Sequence, residues 1–300
     1  MNNSAEKPNP SWKTGSNAPL FKPHMNISVF GMGIIGSRCA DNWQQAGANV
    51  TRWNRTPKDL PHFIADAATA AQASPVLSFY LKDSLALRTV FEQICPTLRS
   101  HHFLMNHSTI DLPTTEWLAE QCAAIGCAFV DAPFTGSKIA AGEGKLMYYL
   151  AGSDNDVARA EEILAPTASA MIRMGATGNA TVIKLATNLI AACQVEALSE
   201  AYAISRAHGI SADAFANAIT QHGTASALAK MKLPTMLAGD FDTHFSLDNM
   251  RKDSVYALEL AKQQGLTLPS ISTVSQRMTE LCQQGHAEKD YTALASPYLS

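Results

Sequence analysis

The segment Ile27-Ser28-Val29-Phe30-Gly31-Met32-Gly33-Ile34-Ile35-Gly36 constrains this chain more than any other. A short apolar strand runs straight into three glycines and then into a helical pattern. Gly31 permits a tight turn out of the strand, Gly33 lets a ligand approach the backbone, and Gly36 lets the helix pack closely on the sheet. A helix from about Ile34 to Ala46 follows, Gly47 ends it, and Val50–Trp53 forms a second strand. This is one βαβ unit, because parallel strands need a crossover of this length. The free N–H groups and positive dipole end at the helix start suit a pyrophosphate. Gly31, Met32, Gly33, Ile34, Ile35 and Gly36 are therefore expected to cradle a dinucleotide.

The end of the second strand separates the two common dinucleotides. An acidic residue there would bind the ribose hydroxyls of NAD and repel a 2′-phosphate. This chain has Thr51-Arg52-Trp53-Asn54-Arg55-Thr56 instead. Arg55 offers planar, charge-assisted donors to a phosphate, so NADP(H) is the expected cofactor. Asn54 and Thr56 are expected to add to that pocket. Arg52 shares a strand face with Asn54 and is a less secure ligand than Arg55.

The rest of the N-terminal half keeps an α/β rhythm. Strands are expected at Val76–Leu81, Phe103–Asn106, Ala128–Val130, Lys145–Ala151 and Ala170–Met174. Helices are expected at Ala67–Ser74 with Asp66 as cap, at Leu85–Gln93, from Pro113 to Ile125 with Gly126 as stop, and at Asp154–Leu164. After Gly178 everything reads as helix. Thr181–Ala207 is nearly free of Gly and Pro and spans roughly 27 residues, about 40 Å. Ala212–Thr220, Ala225–Lys232, Phe245–Gln264 and Ser270–Gln284 complete an all-α second domain. The expected plan is a flexible tail at 1–24, a Rossmann-type dinucleotide-binding domain at 25–186, and a helical domain at 187–300, joined by the long helix.

Composition narrows the function. The 300 residues carry a net charge of −3 with 16% charged residues, which gives no reason to expect nucleic acid or an anionic membrane as partner. No run of about 18 uncharged apolar residues occurs, so no membrane span is expected. The first 24 residues are rich in Pro, Asn, Ser and Lys, have no apolar stretch of the secretory kind, and are expected to precede the folded chain. None of the six cysteines forms a CxxC pair, which fits reduced thiols in a cytoplasmic protein. The histidines form neither HExxH nor a three-ligand cluster, and no metal is expected.

Three further segments carry chemistry. They are Asp131-Ala132-Pro133-Phe134-Thr135-Gly136-Ser137, Gly178-Asn179-Ala180-Thr181-Val182-Ile183-Lys184-Leu185-Ala186-Thr187-Asn188, and Phe245-Ser246-Leu247-Asp248-Asn249-Met250-Arg251-Lys252-Asp253. Lys184 and Asn188 stand four apart on one helix and face the same way. A lysine on an otherwise apolar helix start needs a purpose, since burying an unpaired charge is costly. Thr135-Gly136-Ser137 lies just past a strand end, where ligand-binding loops of parallel sheets sit. Its hydroxyls and N–H groups suit a carboxylate.

With the glycine turn, these segments resemble the β-hydroxyacid dehydrogenase family, over residues 27 to about 293. The family includes 3-hydroxyisobutyrate dehydrogenases, tartronate semialdehyde reductases and glyoxylate/succinic semialdehyde reductases. The resemblance implies a dinucleotide domain, a crossover helix, and a helical domain that closes the cleft and commonly forms dimers or tetramers. It implies Lys184 as acid/base, Asn188 on the substrate oxygen, and Thr135, Gly136 and Ser137 on the substrate carboxylate. Ser108 is placed near nicotinamide and substrate, Lys252 closes over the same cleft, and Asp253 is its structural partner. The implied reaction is reversible hydride transfer to the carbonyl of a small anionic semialdehyde or keto acid. Lys252 is expected to lower the Lys184 pKa by like-charge repulsion.

The run Gly136-Ser137-Lys138 looks more like the glyoxylate/succinic semialdehyde reductases than the 3-hydroxyisobutyrate dehydrogenases. At the strand end Leu81-Lys82-Asp83, Lys82 stands where many relatives carry proline. It either touches the cofactor, as Leu81 is expected to, or gives a solvated loop start. Asn106 stands where relatives usually show aspartate, and Ser108 and Thr109 could cap the next turn. His107 is a weaker candidate base than Lys184. Phe241, Phe245 and Met250 either line the pocket or belong to the core. Imine reductases share the cofactor motif and the two-domain plan, but generally lack the carboxylate loop and the Lys/Asn pair. A non-catalytic scaffold would typically have lost the lysine.

Overall fold

β1 (Asn26–Phe30) is the strand from which an eight-stranded sheet is built, in a computed structural model that describes residues 21–299. It pairs in parallel with β2 (Asn49–Trp53) on one side and β3 (Val76–Phe79) on the other. β4 (Phe103–Asn106) and β5 (Ala128–Asp131) continue the parallel order. The sheet then reverses. β7 (Leu146–Ala151) runs antiparallel to β5 and to the two-residue β6 (Phe134–Thr135), and β8 (Ala168–Gly175) lies parallel to β7. Successive connections leave β1 in opposite directions, so the carboxyl ends of β1 and β3 open a crevice, the place where such sheets bind ligands.

Helices cover both faces because these central strands are buried on both sides. On one face α1 (Ile34–Gln45), α5 (Lys138–Gly142) and α6 (Asp154–Leu164) pack Cys39, Trp43, Ala141, Val157 and Ile163 onto Ile27, Val29 and Tyr148. On the other, α2 (Ala67–Gln72), α3 (Ser84–Ile94) and α4 (Leu112–Ile125) cover Phe30, Leu77, Phe79 and Leu104. Asp66, Asp83 and Asp111 each cap their helix by accepting from the N–H three residues on. Asp111 thus takes the capping role expected of Ser108 or Thr109. Gly126 stops α4 in the left-handed conformation, as expected.

The long helix is α7 (Asn179–Ala207), 29 residues. It is long and apolar enough to cross a membrane by length and composition, yet it buries Lys184, Asn188 and Glu196 as a core helix of the C-terminal half. Around it stand α8 (Ala212–Gln221), α9 (Ala227–Ala238), α10 (Leu247–Gln263) and α11 (Pro269–Leu281). α9 runs past the expected stop at Lys232 and through Pro234. Pro234 offers no N–H to the carbonyl of Lys230, which is an exposed residue. Phe245 and Met250 pack in the core of this half.

The expected tail of residues 1–24 lies outside the described residues up to 20. Its last four residues already belong to the fold: Phe21 packs on the sheet core and the His24 N–H donates to the Gly47 carbonyl at 2.8 Å. All six cysteines are free.

Candidate active site

The glycine turn leaves β1 at Gly31, whose φ of +105° and whose closeness to the Tyr80 carbonyl, 2.2 Å from any added Cβ, admit only glycine. A Cβ on Gly36 would fall 2.0 Å from the Gly31 carbonyl oxygen. Gly33, the residue that starts α1, is the opposite case: nothing lies within 4 Å of where its Cβ would be. No side chain caps α1, and its first turn holds no acid. The donors there face an open, uncrowded cradle, which fits the pyrophosphate of a dinucleotide. Met32 is buried, Ile35 half-buried against the core, and Ile34 exposed.

Asn54 braces this turn: it accepts from the Met32 N–H at 3.0 Å and donates to the Thr56 carbonyl at 2.8 Å. Lys58, absent from the expected set, donates to the Met32 carbonyl at 2.6 Å and brings a second cation to the turn. Its only signal in the sequence is its place three residues after Arg55. Arg55 and Thr56 are exposed beyond β2, and among the described residues no hydrogen bond or ion pair takes the Arg55 guanidinium. Arg52 is not free to bind phosphate. It is buried, with Asp41 at 2.9 Å and Gln44 at 2.8 Å, because its strand position points it at α1.

The second half of the site is a continuous chain of contacts between the two halves of the molecule. Leu81, half-buried against the core, donates its N–H to the Ser108 hydroxyl at 2.8 Å. Asn106 braces Ser108 from both sides, accepting from its N–H at 3.0 Å and donating to its carbonyl at 3.1 Å. Lys252 on α10 donates to the carbonyl of neighbouring Thr109 at 2.7 Å and pairs with Asp253 at 2.7 Å. Asp253 accepts from the Asn188 amide at 2.7 Å, and the Asn188 oxygen accepts from Lys184 at 3.0 Å. Ser108, Lys252, Asn188 and Lys184 are thus brought together, with Asp253 between them.

Thr135 ends β6, and Gly136 and Ser137 lead from it into α5, but among the described residues no hydrogen bond joins them to this chain of contacts. Gly136 has φ +136° and a Cβ there would meet Leu146 at 2.8 Å, so glycine is required. The Ser137 hydroxyl caps α5 by accepting from the Ala140 N–H at 3.2 Å. Lys82 is 58% exposed, in keeping with the expected solvated loop start. It reaches across to Asp248 of α10 at 3.3 Å, and Lys138 likewise reaches Asp242 at 2.8 Å.

Residues 26–178 match the family described as the NAD binding domain of 6-phosphogluconate dehydrogenase, and residues 178–298 match the NAD-binding family of NADP-dependent 3-hydroxyisobutyrate dehydrogenase. The chain belongs to the β-hydroxyacid dehydrogenase family. The chloroplastic glyoxylate/succinic semialdehyde reductase 2 of Arabidopsis thaliana is 24% identical over 280 residues, covering 90% of this chain and 78% of the relative. The L-threonate dehydrogenase of Cupriavidus necator is 26% identical over 281 residues, covering 90% and 94%. The 3-hydroxyisobutyrate dehydrogenase of Mycobacterium tuberculosis, solved with L-serine, superposes with a TM-score of 0.84 at 22% identity, covering 92% and 99%.

As a β-hydroxyacid dehydrogenase, the chain is an NAD(P)-dependent oxidoreductase for small hydroxyacids or semialdehydes. Its charges suit that work. Burial pushes the Lys184 pKa down to about 8; Asp253 opposes the fall and Lys252 adds to it. Burial, rather than the expected repulsion from Lys252, therefore dominates. An amine poised there can give or take a proton near neutral pH. His107 is sealed from this exchange. Burial lowers its pKa to about 4, its Nδ1 donates to the Ala132 carbonyl at 2.7 Å, and its ring stacks on Tyr80.

Proposed function

We propose that the chain reversibly reduces a small anionic semialdehyde or keto acid, of the glyoxylate or succinic semialdehyde kind, with NADPH. The bound nicotinamide supplies or accepts the hydride. Lys184 acts as the general acid/base: as ammonium it hydrogen-bonds the carbonyl oxygen as negative charge develops there, then donates the proton. In the oxidative direction neutral Lys184 accepts the hydroxyl proton. Asn188, held by Asp253, shares the substrate oxygen. Thr135, Gly136 and Ser137 receive the carboxylate, and Lys252 and Ser108 wall the cleft. The observation that carries this reading is the buried Lys184, 3.0 Å from Asn188, with its pKa brought down to about 8.

The preference for NADP rests on Arg55, exposed where an acid would select NAD, with Lys58 beside the turn. The substrate class draws on the Gly136-Ser137-Lys138 run and on the reductases among the relatives. A homodimer or larger homo-oligomer fits Val182, Ile190 and Ile204, which are 36%, 62% and 66% exposed along one side of α7. Light scattering at a dimer or tetramer mass supports that assembly, and a monomer excludes it. The free thiols fit a reducing compartment such as the cytoplasm.

NADPH consumption is to be followed against glyoxylate, succinic semialdehyde, tartronate semialdehyde and methylmalonate semialdehyde, with L-threonate and NADP as the reverse assay. Turnover of glyoxylate or succinic semialdehyde supports the reading. Turnover confined to the others moves the substrate, and none at all with NADPH tightly bound overturns it.

A further inference from the structure

We propose that Asp131 is a positioning residue for the helix that carries Lys184, capping α7 from the end of the sheet and so fixing where Lys184 and Asn188 stand. The inference rests on the acid/base role of Lys184 given above. α7 starts at Gly178, which has no side chain to cap it and whose φ is +90°. A Cβ at Gly178 would meet Leu112 at 2.7 Å, so a conventional capping residue does not fit there. The first turn of α7 holds no acid either.

Asp131 supplies what is missing. Fully buried at the end of β5, it accepts from the Thr181 N–H at 2.8 Å, and its two oxygens lie 3.0 and 2.9 Å from the Thr181 hydroxyl. The Thr181 hydroxyl in turn lies 2.9 Å from that of Thr115 on α4. Burial pushes the Asp131 pKa up to about 7, and the Thr181 N–H, the Thr181 hydroxyl and the Gly178 N–H oppose that rise, as does the positive end of the helix dipole. Asp131 is also the register partner of Asn106. Adjacent strand ends at one level of the sheet therefore hold the two halves of the site: Asn106 holds Ser108, and Asp131 holds α7. Thr181 lies three residues before Lys184, on the same side of the helix. A loosened first turn shifts the Lys184 amine directly, and a misplacement of about 1 Å can cost about a hundredfold in rate.

The test compares Asp131→Asn, Thr181→Val, Thr181→Ser and the Asp131→Asn/Thr181→Val pair with wild type and Lys184→Ala. The readouts are kcat and NADPH affinity. Asp131→Asn is expected to lower kcat about tenfold or more while the NADPH Kd stays within about twofold. Thr181→Val keeps the capping N–H and loses only the hydroxyl contacts, so it lowers kcat by less; Thr181→Ser restores it, and the pair is no worse than Asp131→Asn alone. A folded Asp131→Asn with a lower Tm and unchanged kcat makes the contact merely structural and overturns the proposal, as do effects that multiply in the pair. If Asp131→Asn does not fold, the Thr181 variants decide: kcat lowered with valine and restored with serine supports the proposal, and kcat unchanged with valine overturns it. Retained turnover in Lys184→Ala would overturn the acid/base reading itself.

Discussion

Helices α1 and α7 both begin at a glycine that offers nothing to their first free N–H groups, and the protein completes them in opposite ways. At α7 the partner is internal: Asp131, 50 residues earlier in the chain, reaches the first turn from the sheet. At α1 no side chain plays that part, and Gly33 faces open space. One helix start has its acceptor within the protein, the other is left open to an anion from outside. The same local device thus serves chemistry in one place and binding in the other, and what separates them is a carboxylate distant in sequence.

The comparison breaks most sharply at Lys184. Lys184→Ala is expected to cut turnover by at least about a hundredfold while the NADPH Kd, which belongs to α1, stays within about twofold. Steady-state kinetics and a cofactor titration on one preparation measure both. Turnover near wild type would remove Lys184 from its role.

The next variant gives α1 what α7 has. The backbone of Gly33, φ −80° and ψ −164°, suits any residue, and no atom stands within 4 Å of the new Cβ. Gly33→Asp should therefore cap α1 without loss of apo-protein Tm, and repel the pyrophosphate enough to weaken NADPH about a hundredfold. Calorimetry on the apo-protein and a binding titration test the two halves. Unchanged affinity would mean that the phosphate does not sit at this helix start.

A smaller effect is expected at the rim. Arg55→Ala should reduce the preference for NADPH over NADH about tenfold, the loss of one charge-assisted contact, with NADH affinity little altered. Equal losses for both cofactors would place Arg55 on the pyrophosphate instead of the 2′-phosphate.

What could be read from the sequence follows from the range of each interaction. Strand positions were legible because apolar, β-branched runs stop at glycine, proline or polar residues, and α6 matches its expected bounds, Asp154–Leu164. The five-residue α5 and two-residue β6 carry no periodicity and were not foreseen. Lys184 and Asn188 were legible as a pair on one helix face, but the Asp253 that holds Asn188 is 65 residues away. Arg52 was the less secure phosphate ligand of the two arginines, and tertiary structure turns it onto Asp41 and Gln44. The sequence said nothing of the partners of Lys82 and Lys138, because each pairs with an aspartate more than 100 residues later. Asp131 was legible as part of a motif and silent as to its use, because the N–H it accepts from lies at the start of another element.

The most direct test of the account is the pH dependence of turnover in both directions. The Lys184 pKa is brought from 10.5 down to about 8. Reduction needs the ammonium form, so its kcat should be level below about pH 8 and fall about tenfold per unit above it. Oxidation needs the neutral amine and should rise to a plateau through the same pH. Both limbs should vanish in the residual activity of Lys184→Ala. Reduction that stays level to about pH 10, or a limb that survives in Lys184→Ala, would contradict the assignment of the proton to this lysine.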